Sequence, residues 1–152
     1  MKSLSSLSCV VLVAVTLTLA GCGLGDFPVA QVTGIVLCNG EPVPGALVFF
    51  EPQQSGDNAL VGKTGLGVAN DQGEFSVRTY GSNDGAVVGM HNVKVERGSG
   101  PGCDCAMNSD RTVVVVEVKA DGENSFSIEL PKKTRADARA ERAEDDEDEE
   151  DD

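Results

Sequence analysis

"QVTGIVLCNGEPVPGALVFFEP", residues 31–52, sets two short apolar runs on either side of a segment dense in turn formers. The first run, Gln31 to Leu37, is rich in Val, Ile and Thr, side chains that suit a pleated, half-buried surface. Asn39-Gly40 follows, two residues that tolerate positive φ and therefore signal a hairpin turn. The second run, Ala46 to Pro52, is apolar on both faces and stops at a proline, which has no N–H to give a ladder. Apolar residues here do not recur at helical spacing. The stretch therefore predicts two strands, with Cys38 in the turn between them.

The same grammar recurs to the end of the apolar part of the chain. "LGVA" (66–69) predicts a third strand and "NDQG" (70–73) a tight turn. In "EFSVRTY" (74–80), Phe75, Val77 and Thr79 alternate with Glu74, Ser76 and Arg78. In "GMHNVKVER" (89–97), His91, Val93 and Val95 share a face opposite Asn92, Lys94 and Glu96. "RTVVVVEVK" (Arg111 to Lys119) and "SFSIEL" (125–130) complete seven strands, the last with Phe126, Ile128 and Leu130 on one side. Eighteen Gly and six Pro, with turns at "GSNDG" and "ADGEN", fit many short elements rather than a few long ones. Seven short strands without a helical period predict an all-β, seven-stranded Greek-key β-sandwich.

The order of these motifs resembles a known family. Gly34-Ile35-Val36, the turn Gly40-Glu41-Pro42, Ala46 opening an apolar strand, Asp71-Gln72-Gly73-Glu74-Phe75 and Gly89-Met90-His91-Asn92-Val93-Lys94-Val95 follow the pattern of the carboxypeptidase regulatory-like domain. That resemblance implies a sandwich of transthyretin-like (prealbumin-like) type, here spanning residues 30–131. It also implies a binding or structural role, since single-domain members are common among bacterial lipoproteins. Two departures stand out: His91 occupies the usual tyrosine position, and "GSGPGCDCAMNSD" (98–110) is an atypical loop.

The amino terminus points to export. Lys2 precedes an apolar run of eleven residues, Val10 to Ala20, too short for a permanent span of about 20 residues. Leu19-Ala20-Gly21-Cys22 resembles the bacterial lipobox, in which the cysteine thiol receives a diacylglycerol and cleavage occurs just before it. Residues 1–21 are then a lipoprotein signal peptide, Cys22 the lipidation site and residues 22–29 a tether. An ordinary secretory peptide or an uncleaved anchor is the competing explanation. Two or three acyl chains give stable attachment where one does not. The expected location is the periplasmic or cell-surface side of a membrane, held by the lipid on Cys22. Gly23, not Asp, follows the cysteine.

Catalytic chemistry finds few candidates. The single histidine, His91, lies on an apolar strand face, where a half-buried packing residue with a satisfied ring is the simpler expectation than a catalyst. Transthyretin-related hydroxyisourate hydrolases use several histidines, and the zinc ligands of carboxypeptidases lie on a separate domain. "NDQG", "GSNDG" and "ADGEN" carry oxygen ligands but lack EF-hand spacing. No catalytic residue, metal ligand or cofactor is therefore assigned. Cys9 leaves with the signal and Cys22 takes lipid, so Cys38, Cys103 and Cys105 remain as disulfide candidates in an oxidising compartment. One internal disulfide involving Cys38 is expected, to Cys103 or Cys105. Cys103-Asp104-Cys105 could instead present two soft thiolates to copper or zinc.

Charge closes the reading. The formal charge is -13, and the last nine residues are all acidic, which argues against nucleic acid as a partner. Residues 132–152 contain helix formers but no apolar stripe, so a disordered charged tail is expected. The predicted protein is a non-catalytic, lipid-anchored module of the bacterial cell envelope that binds an envelope protein or a glycan. The alternative is a metal-handling lipoprotein using Cys103, Cys105 and the acidic tail.

Overall fold

A computed structural model describes residues 27–55 and 60–139. The expected signal peptide, the expected lipidation site Cys22, the expected tether up to residue 26 and the polyacidic end from residue 140 lie outside the described residues. The strands are β1 (Val29–Ala30), β2 (Thr33–Cys38), β3 (Glu41–Pro42), β4 (Leu47–Pro52) and β5 (Gly65–Val68). They continue as β6 (Glu74–Arg78), β7 (Ala86–Val87), β8 (Gly89–Glu96), β9 (Asn108–Val118) and β10 (Ser125–Glu129).

The seven strands expected from alternation are β2, β4, β5, β6, β8, β9 and β10, and the domain is all-β. They form one path in the order β10-β2-β6-β5-β4-β8-β9, with β3 appended to β2. Every pair in that path is antiparallel except β10 with β2. The path curls, so that the β10–β2–β6 arm and the β4–β8–β9 arm bury their inner faces in one core. Val36 and Ile128 come from the first arm, Val48, Phe50, Val93 and Val95 from the second. Phe50 sits between the arms, its ring centre 6.1 Å from Phe75 and 6.0 Å from Phe126. Phe50 and Phe75 are buried, each worth about 1.5–3 kcal/mol, Phe126 packs against them half-buried, and valines fill much of the rest of the core.

Three two-residue strands were not foreseen, and two of them change the picture. Asn39 and Gly40 adopt φ of 54° and 81°, so the turn is formed as expected. Its second arm is only β3, however, paired through Cys38↔Glu41 and Leu37↔Pro42. Pro42 and Pro44 break the ladder, and β4 crosses to the other arm, between β5 and β8. β1 pairs with β7 through Val29↔Val87 and Ala30↔Ala86, while Pro28 accepts a hydrogen bond from Val88 N–H. The segment expected to be a tether up to residue 29 is thus part of the fold from Phe27 onward.

The carboxyl boundary also shifts. Ala106 N–H donates to the Pro131 carbonyl at 2.8 Å, and Lys132 bridges to Cys105. Residues 135–139 form a helical turn capped by Thr134, whose hydroxyl and N–H both bond to the Asp137 carboxylate at 2.7 Å. The base of the charged tail is therefore held against the domain by backbone bonds up to Lys133 and by the Arg111–Asp137 pair, with the turn after it held by its own cap, rather than by an apolar face.

Candidate functional site

Strand directions sort the chemistry-bearing residues to opposite ends. β2, β5, β8 and β10 run one way and β4, β6 and β9 the other. Cys38 closes β2 at one end, where the loop before β9 brings in Cys103 and Cys105. His91, near the start of β8, lies toward the opposite end.

At the cysteine end, Cys38 and Cys105 form a disulfide with their Cα atoms 5.8 Å apart, across 67 positions of sequence. Closing a loop of that length stabilises the fold by about 4 kcal/mol in the chain-entropy model. Cys105 is fully buried and Cys38 nearly so. Cys103 is the free cysteine among the described residues and is half-buried. The three sulfurs all lie within 4.8 Å of one another. The Asn39 amide points its Nδ2 at both bonded sulfurs, 3.6 Å from Cys38 and 3.8 Å from Cys105. A cleft of about 420 Å³ opens beside them, bordered by Asn39, Pro42, Pro101 and Cys103.

The atypical loop is what places these sulfurs. Gly98 and Gly100 lie so close to the Gly45 and Pro44 carbonyls that a Cβ on either would collide with backbone. Glycine there lets residues 98–102 lie flat on the turn before β4. Ala106 and Lys132 then fix the far side of Cys105.

At the opposite end, His91 is fully buried, its Nε2 2.8 Å from the Val87 carbonyl and its ring set edge-on to Phe50 at 5.9 Å. Nε2–H is the donor in that bond, which leaves Nδ1 buried without a hydrogen-bond partner. Desolvation lowers the imidazole pKa from 6.5 to about 4, so the ring is neutral at physiological pH. The turn oxygens nearby are engaged by the chain itself. The Asp84 carboxylate accepts the backbone N–H groups of Thr79, Tyr80 and Gly81, which holds its pKa below 3.8. Buried Asn124 accepts from Lys119 N–H and donates to the Gln31 and Lys119 carbonyls. Asn70 Oδ1, at the cysteine end, accepts from the Gln72 and Glu74 N–H groups.

One surface escaped the sequence reading. A trough of about 710 Å³ runs over the outer face of β10, β2 and β6, where the hydroxyls of Thr33, Ser76, Ser125 and Ser127 mix with Glu74 and the apolar Ile35 and Val68. Alternation marked Glu74 and Ser76 as outward, but the register that sets Ser125 and Ser76 on either side of Thr33 is a property of strand pairing.

No helix among the described residues is long and apolar enough to cross a membrane. No protein-family model matches the chain, and neither a curated protein nor a solved structure shows detectable similarity to it.

Proposed function

We propose that this chain is an exported, lipid-anchored β-sandwich of transthyretin-like, carboxypeptidase regulatory-like type, acting as a non-catalytic binding or structural module in the bacterial cell envelope. The observation that carries the proposal is the buried Cys38–Cys105 bond, a cross-link suited to an oxidising compartment outside the cytoplasm. The lipobox-like Leu19-Ala20-Gly21-Cys22 supports the same location. His91, enclosed against Phe50 and the Val87 carbonyl, has no surface on which to meet a substrate. The trough over β10, β2 and β6, with hydroxyls beside the apolar Ile35 and Val68, suits a partner with both polar and apolar faces, such as the sugar rings of a glycan.

Anchoring at Cys22 would also orient the domain. Phe27 N–H reaches the Tyr80 hydroxyl at 3.4 Å, at the histidine end. Five residues of extended chain span at most about 18 Å. The histidine end then faces the membrane and the cysteine end faces away. Metabolic labelling with a fatty acid tests the proposal. The wild-type chain should take up label and lose residues 1–21, and Cys22→Ala should do neither. Unchanged labelling and processing in the variant would remove the anchor from the proposal.

A second reading is favoured by the approach of three sulfurs to within 4.8 Å. With Cys105 in the disulfide, the Cys103-Asp104-Cys105 pair offers only one thiol, so soft-metal binding requires prior reduction. Copper or zinc bound in stoichiometric amount by the reduced chain, and not by the oxidised chain, would move the assignment to metal handling.

A further inference from the structure

We infer that the cysteine end is an internal thiol–disulfide exchange site, in which Cys103 attacks the Cys38–Cys105 bond and Cys38 passes from one partner to the other. The inference stands on the sulfur geometry and does not depend on the envelope reading above. Exchange needs a thiol within reach of a disulfide sulfur and a leaving thiolate that the surroundings can accept. Cys103 Sγ lies within 4.8 Å of both bonded sulfurs and lines the cleft beside them. The Asn39 amide, 3.8 Å from Cys105 Sγ, is placed to donate to that sulfur as it leaves as the thiolate.

The step balances without an outside oxidant or reductant. The Cys103 thiol loses its proton, its thiolate attacks Cys38 Sγ, a Cys38–Cys103 bond forms, and the Cys38–Cys105 bond breaks. The electron pair leaves on Cys105 Sγ, which takes up the proton. Attack on Cys105 instead would close a ring over a single intervening residue, a poor geometry for a disulfide. The two Cys38 isomers close loops differing by only two residues, so chain entropy hardly separates them. What separates them is the thiol each leaves behind. The isomer in the structure presents the half-buried Cys103, whereas its alternative hides the thiol in the fully buried Cys105 position. The exchange therefore turns a thiol that a partner can reach into one that it cannot.

The test uses the full chain carrying Cys9→Ser and Cys22→Ser, so that no other thiol takes part. Oxidised protein is held at about pH 6 and about pH 8, quenched in acid, unfolded, alkylated and cleaved before Asp104, which separates Cys103 from Cys105. Both connectivities should appear, approached faster at about pH 8 than at about pH 6, because the thiolate is the attacking species. The rate should not change when protein concentration is raised tenfold, since the attack is internal. Cys103→Ser should hold one connectivity at both pH values. A single Cys38–Cys105 connectivity in the Cys103 protein overturns the inference. So does a rate that scales with protein concentration, or alkylation of Cys105 in Cys103→Ser at the same rate as with Cys103 present.

Discussion

At one end of the curled sheet, a covalent bond ties the end of β2 to the loop before β9; at the other, His91, Asp84 and Asn124 tie strand ends and turns through hydrogen bonds alone. The two ends bury comparable chemistry by different means. Cysteine is among the most readily buried residues and carries no charge into the core once paired. Imidazole can be buried only as the neutral ring, and its Nδ1 here has no partner. The first end is therefore sensitive to electrons and the second to protons, and separate variables can probe them.

The largest difference should come from reduction. In a Cys103→Ser background, where exchange is blocked, reducing Cys38–Cys105 should lower the unfolding free energy by about 4 kcal/mol, measured by urea denaturation with and without a reductant. A loss under about 1 kcal/mol would mean that the hydrogen bonds from Ala106 and Lys133 hold that end without the cross-link.

Acid should act on the other end. Burial holds the folded-state pKa of His91 near 4, against 6.5 for an unburied ring. As pH falls, the unfolded chain binds the proton first. The stabilisation is thus complete above pH 6.5 and is lost as pH falls toward 4, by at most about 3 kcal/mol. His91→Leu should flatten stability across that window while leaving the disulfide in place. A slope unchanged in the variant would assign the acid sensitivity to other groups.

What could be read from the sequence follows the same division. Alternation at Phe75, Val77, Val93 and Val95 located core strands because burial on one face imposes a period of two. The inward face of His91 was readable for the same reason, but a half-buried, satisfied ring was expected, and the ring is fully buried with Nδ1 unpartnered. The pairing of Cys38 with Cys105 rather than Cys103 was not, because it depends on how the loop 98–107 lies against Gly45 and Pro44, a tertiary contact without local period. Asn39-Gly40 marked a turn correctly but not its partner, since the prolines that cut β3 short also send β4 to the opposite arm. The trough over β10, β2 and β6 was invisible because strands distant in sequence become neighbours only through register.

The loop glycines connect packing to the cysteine end. Gly100→Ala should cost about 1–3 kcal/mol, because its Cβ meets the Pro44 carbonyl and the loop must lift. The displacement should appear first in faster alkylation of Cys103, with the pH dependence set by His91 unaltered. Equal effects at both ends would show that the sheet transmits strain along its length.

The smallest effect expected separates the two parts of the charged tail. Removing residues 140–152 should leave the melting temperature unchanged, because acidic residues, two alanines and Arg142 offer no apolar side chain larger than alanine to bury. Removing residues 132–152 also takes away the Lys132 bridge to Cys105, of which the 3.4 Å bond from Lys133 N–H to the Asp104 carbonyl is a part, and the capped turn at Thr134. The Arg111–Asp137 pair, 4.0 Å apart, adds little at an exposed site. These contacts together are worth less than about 1 kcal/mol, a loss of a few degrees in a domain of this size. The loss should fall at the cysteine end, since each backbone contact removed touches Asp104 or Cys105. If the longer truncation lowers the melting temperature while the reduced protein is indifferent to it, the base of the tail acts by positioning Cys105 for its bond. A drop with the shorter truncation would instead place the polyacid against the domain.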